Sequence, residues 1–466
     1  VTVRRVGAAV TLVLGLALVL PGTASAHGLV GRLDLPVPQW LFAWTAAVVL
    51  VVSFIGLSIG WSEPRLERER PAGTKGVTLP TWPAATVGVL GIAVFVLVVV
   101  AGLFGEQDPG RNIAPTLVYV AFWVAVPLLS LLLGDVFRVI NPWRTTAKAL
   151  GFPESRPDRP YPVRAGRLPA AATIVLFAWV ELVAPFGDEP RVIAVLAIGY
   201  FAAQLWGMRR YGIATWSNQA DGFAVAFSLI AAMAPLRWEG RRVTTQPLLA
   251  GLAAVATPRG TLAVLCVMIG TTSFDGASQG GLWTSFAPDL GSSIGDLGLG
   301  AETGRASVDT LGIALCIALI IGLYRVAISG MASIRPGIDR AKLAERFAHS
   351  LVPIALAYLL AHYFSLLVFQ GQALGFMVSD PLTNGSDYFG TATAGIDLNA
   401  VSTSVVWYVQ VGALLLGHVA GLVLAHDRSL VIFRSHKDAV RSQYWMLAVM
   451  VGYTCLGLWL LSAVGT

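Results

Sequence analysis

Ten apolar stretches, each near the 20 residues that an α-helix needs to cross the hydrocarbon layer of a bilayer, recur along this chain of 466 residues. They lie near residues 40–61, 84–105, 113–134, 168–186, 190–208, 260–276, 306–327, 349–378, 400–425 and 443–463. In lipid, every backbone N–H and C=O must find its partner inside the protein, so segments of this kind become helices. Only 12% of the residues are charged, about half the share usual in soluble domains, and the mean hydropathy is +0.71. The chain is therefore read as all-α, a polytopic transmembrane helix bundle of about ten spans with the lipid bilayer as its main partner. A shorter apolar stretch, residues 220–236, opens with Asp221 and closes at Pro235, and is expected to be a re-entrant or interfacial helix.

Residues 1–26 have the parts of a cleavable signal peptide: Arg4 and Arg5, an apolar run, the breakers Pro21 and Gly22, and Ala24-Ser25-Ala26. Cleavage there leaves residues 27–466 as a single transmembrane helical domain that begins at His27 on the outer face. A free amine beside an imidazole chelates one metal ion, and copper suits such a nitrogen pair best.

Charge then sets the orientation, because Lys and Arg accumulate in cytoplasmic loops. With the mature N-terminus outside, the inner segments 62–83, 135–167, 209–259, 325–348 and 426–442 hold four, seven, six, five and four basic residues, 26 of the 32 in the chain. The outer segments hold only Arg32, Arg111, Arg191 and Arg305. Ten spans place both ends of the mature chain outside, in the cell membrane. The net charge of +6 is thus explained by membrane orientation, and no nucleic-acid partner is expected. The long inner segments 135–167 and 209–259 read as linkers and surface helices. Cys266, Cys316 and Cys455 all fall in apolar runs without a CxxC spacing, which does not indicate a disulfide framework.

Ionisable groups at membrane depth are costly and mark candidate sites. His362 in the eighth span and His418 in the ninth differ in height by under about 10 Å at 1.5 Å per residue. Adjacent antiparallel helices can bring both imidazoles toward one cavity, to hold a transition metal, copper or zinc, or a haem. The alternative is that each imidazole is satisfied by a backbone carbonyl or a glutamine. Glu181 in the fourth span and Asp275 at the outer end of the sixth are the candidate catalytic carboxylates, as bases or as ligands. No HExxH, His-x-His or phosphate-binding GxxxxGK[ST] pattern occurs.

Several segments together carry a resemblance: HGLVGRLDLPVPQWLFAW from His27, GDVFRVINPWR after the third span, ADGFAVAFSLIAAMAPL, TTSFDGASQGGLW, AHYFSLLVFQGQ and WYVQVGALLLGHVAGLVLAHDR. The chain resembles the actinobacterial membrane-protein family known as fenitrothion hydrolase, from about residue 27 to its end. The resemblance implies a membrane-bound enzyme that hydrolyses organophosphorus triesters, a reaction commonly assisted by metal ions. A single metal on His362 and His418, with Glu181 or Asp275 orienting a water, is the arrangement the residues allow. Two other classes compete with it: a copper- or haem-binding membrane transport protein, and an assembly factor that docks through the DVFRVINPWR segment.

Overall fold

The structure, a computed structural model, describes residues 39–67, 76–78, 80, 82–433 and 435–463. The signal-peptide reading and His27 lie outside the described residues. Each of the ten apolar stretches contains a helix that covers most of its described part. In chain order these helices are α1 (Gln39–Gly60), α2 (Trp82–Phe104), α3 (Ile113–Leu133), α4 (Leu168–Leu182) and α5 (Pro190–Tyr211). The short α6 (Gly222–Ala231) precedes α7 (Thr261–Ser278), α8 (Gly281–Ile294) and α9 (Ala301–Ala332). The series closes with α10 (Val352–Phe369), α11 (Thr403–Ile432) and α12 (His436–Ala463).

Among the described residues, seven helices are long and apolar enough to cross a bilayer: α2, α3, α5, α7, α9, α11 and the run Arg340–Met377 that contains α10. The protein is therefore a multi-pass helical membrane protein. The segment that opens with Asp221 forms α6, whose ten residues rise about 15 Å, half the hydrocarbon thickness. Eight of the ten are buried, and Phe223 and Phe227 pack edge-on or tilted against Phe122, Trp123 and Phe137. Asp221 starts this helix by accepting the Ala224 N–H.

One expectation needs correcting. Segment 209–259 is not only linker and surface helix: β2 (Leu236–Glu239) and β3 (Arg242–Thr245) form a hairpin there. With β1 (Gly76–Thr78) they make an antiparallel three-stranded sheet in the order β1-β3-β2. Gly240 supplies the left-handed turn residue, with φ at +64°. The strands are three or four residues long, too short for a period-two pattern to stand out beside the apolar helices.

The described helices group into two compact units that are not consecutive in sequence. The first holds α1, residues 265–364 and the chain from Ser402, and in it α12 packs against α1, α9 and α11. The second holds residues 69–264 and 365–401, and in it α6 packs against α3 and α4, and α2 against α5.

Candidate functional site

Asp275 stands in the last turn of α7 and His362 two-thirds of the way along α10, both in the first unit. The helices bring them together: His362 Nε2 lies 2.7 Å from Asp275 Oδ2, with side chains only 14% and 12% exposed. A carboxylate can only accept, so this contact places the imidazole proton on Nε2 and leaves the Nδ1 lone pair free in the neutral ring. Asp275 Oδ1 faces the Gln279 side-chain amide at 3.5 Å, one helical turn on. Beside Nδ1 the space is open, because a methyl group built on Gly276 would meet only that nitrogen, at 3.9 Å. Asp275 and Gly276 are neighbours in sequence, so one turn of α7 both orients the imidazole and leaves its second nitrogen accessible. The pair has the parts of a general base: a proton-accepting nitrogen, a carboxylate that fixes its tautomer, and partial exclusion of water.

The other expected site residues lie elsewhere. His418, on α11 in the first unit, is fully buried. Its Nδ1 is 2.8 Å from the Leu414 carbonyl one turn earlier, and its ring lies near those of Tyr358 and Tyr453, at 6.0 and 6.2 Å between centroids. Among the described residues no hydrogen bond or ring contact joins it to His362. Glu181 belongs to the second unit, half-buried in the last turn of α4.

A zinc centre or a two-metal hydrolytic centre needs three or more convergent His, Cys or carboxylate ligands. Among the described residues no such group comes together. The Asp275–His362 contact spends one donor atom of each side chain on the other, so this donor set does not fit such a centre. Nor does the cavity beside His418, of about 50 Å³, fit a porphyrin.

Two features escaped the sequence reading. Gly276-Ala277-Ser278-Gln279-Gly280 has the GxSxG spacing of a nucleophile elbow, and Ser278 sits three residues after Asp275. Its backbone is not the strand-to-helix turn of that motif, however: it ends α7, and Ser278 Oγ donates to the Asp275 carbonyl at 2.8 Å. The second feature is Gly417-His418-Val419-Ala420-Gly421, a GxxxG spacing around His418 that marks close helix approach in membranes.

No protein-family model matches the chain, and no curated protein or solved structure matches it either.

Proposed function

We propose that the protein is a ten-span enzyme of the cell membrane that hydrolyses organophosphorus triesters, with His362 as general base and Asp275 as the residue that orients it. The observation that carries this reading is the 2.7 Å contact between Asp275 and His362. The family resemblance supplies the substrate class. In the proposed step, His362 Nδ1 takes a proton from water as the water oxygen bonds to phosphorus. The phosphorus–aryloxide bond breaks, and the departing aryloxide takes that proton from the imidazolium. Asp275 stabilises the imidazolium in between, as the buried carboxylate does in a catalytic triad. Neutral aryl triesters partition into lipid, which fits a base set among membrane helices.

The ten-span arrangement has both ends of the mature chain outside, and the basic-residue bias supports it. In that arrangement α6 is a half-span that enters and leaves on one side, and the first span follows a cleaved signal peptide.

The test is phenol release from an aryl phosphotriester by purified protein. His362→Gln and Asp275→Asn should each lower kcat by about 10²–10⁴-fold while leaving the helical circular-dichroism spectrum intact. Ser278→Ala separates the nucleophiles, since water attack survives it and a serine nucleophile does not. Full activity in both the His362 and the Asp275 variants would remove the site.

A further inference from the structure

A cavity of about 50 Å³ lies in the first unit among α7, α9, α10, α11 and α12. Its wall is almost wholly aliphatic and aromatic, and four polar side chains reach it: Tyr324, Ser350, Tyr453 and His418. Three of these are satisfied. The Tyr324 hydroxyl donates to the Ala344 carbonyl at 2.7 Å, Ser350 Oγ donates to the Phe347 carbonyl at 2.8 Å, and the Tyr453 hydroxyl shares a 2.6 Å hydrogen bond with Ser273. The fourth is not satisfied, since His418 Nε2 is buried with no partner.

The state of that nitrogen follows from the other side of the ring. The Leu414 carbonyl can only accept, so Nδ1 carries the proton and Nε2 holds a bare lone pair. A buried acceptor left without a partner is costly, and a histidine whose N–H is anchored on a backbone carbonyl is held in the tautomer and orientation of a metal ligand. Among the side-chain nitrogen and oxygen atoms on the cavity wall, His418 Nε2 is the one with no hydrogen-bond partner.

Met446 and Met450 supply what is missing. They stand four residues apart on one face of α12, both buried, and both line the same cavity as His418. Thioether sulfur is a soft ligand that selects Cu(I) over hard or borderline cations. An imidazole with two thioethers carries no charge, and no carboxylate lines the cavity to neutralise a divalent ion, so a monovalent ion is the one this wall accommodates. We propose that His418 Nε2, Met446 and Met450 form a Cu(I) site, separate from the Asp275–His362 pair and independent of the hydrolase reading.

The experiment is an anaerobic titration of the purified full chain in detergent with Cu(I) held by bicinchoninate, followed by X-ray absorption at the copper edge. Wild-type protein should withdraw copper from the chelator and show both sulfur and nitrogen scatterers. The Met446→Leu, Met450→Leu double variant keeps the cavity filled with apolar side chains of similar size and should lose that copper with its melting temperature little changed. His362→Gln should bind as wild type. Absence of copper in wild-type protein, nitrogen-only coordination, or undiminished binding in the double variant would each overturn the site. The wild-type spectrum reads the sulfur and nitrogen ligands without any variant, and the melting temperature of the double variant shows whether its loss of copper reflects the site alone.

Discussion

Asp427 is a carboxylate entirely taken up by backbone and indole donors. Its Oδ1 accepts from Trp61 Nε1 at 2.9 Å and from the Arg65 N–H at 2.6 Å, and its Oδ2 accepts from the N–H groups of Leu66 at 3.1 Å and Glu67 at 3.0 Å. The preceding residue, His426, donates from Nε2 to the Trp61 carbonyl at 2.8 Å and accepts at Nδ1 from Gln443. The adjacent Arg428 pairs with Glu67. Three consecutive residues of α11 thus clasp the segment that follows α1. Asp427→Asn turns an amide N–H₂ toward donors and should cost about 2–4 kcal/mol; the check is thermal unfolding in detergent together with faster amide exchange at Arg65–Glu67. Asp387, in the exposed loop of the second unit, accepts from Ser379 Oγ at 2.6 Å and from the Ala392 N–H at 3.0 Å, and these bonds hold its carboxyl below the usual range. A depressed folded pKa gives stability that is fully present above the unfolded value, about 3.9, and lost as pH falls through the folded one. Amides of residues 388–392 should therefore stay protected down to about pH 4 and open below it. Asp387→Asn should open them at neutral pH as well. Unchanged exchange across that range would show that the carboxylate does not hold the loop.

Among the elements, length and small residues decide how helices meet. α9 has 32 residues and rises about 48 Å, and α11 has 30 and rises about 45 Å, so both outrun a hydrocarbon layer of about 30 Å. The excess on α11 carries the His426–Arg428 clasp. Its apolar part approaches α10 through Gly417, where a Cβ would collide with Ala357 and come within 2.8 Å of the Pro353 carbonyl oxygen. At Gly421 a Cβ would come within 2.8 Å of the Ser350 carbonyl oxygen. His418 is held between these two contact points, which fixes where its ring enters the cavity. Gly417→Ala forces backbone apart rather than a flexible side chain, and should lower stability by about 1–3 kcal/mol. Thermal melting measures this, and a variant that melts with wild type would show that the approach is looser than the geometry requires. The GHVAG spacing was legible in the sequence, but nothing in the sequence says which neighbouring helix a GxxxG face meets.

At the scale of the whole molecule, the basic-residue count and the helix lengths bear on different things. Length and apolarity establish a multi-pass helical membrane protein, while the asymmetry of Lys and Arg argues for both mature ends outside. That orientation predicts opposite labelling of two exposed positions by a membrane-impermeant maleimide on intact cells: Thr393→Cys should react and Lys437→Cys should not, in a background without Cys266, Cys316 and Cys455. Labelling at Lys437→Cys alone would invert the topology. The sequence by itself determined the helical class and the membrane setting, because the hydrocarbon layer imposes a length and an apolarity that any spanning segment must meet. It also marked Asp275, His362 and His418 as costly groups at depth. Which of them meet was decided only by the tertiary structure, because a partner's identity depends on the rotation and neighbour of each helix. Asp275 and His362 are 87 residues apart in sequence, yet joined at 2.7 Å, while His418 lines one cavity with two methionines that the sequence reading left unmarked. The two units likewise interleave distant stretches of chain, since helices pack by complementary faces and not by order along the sequence.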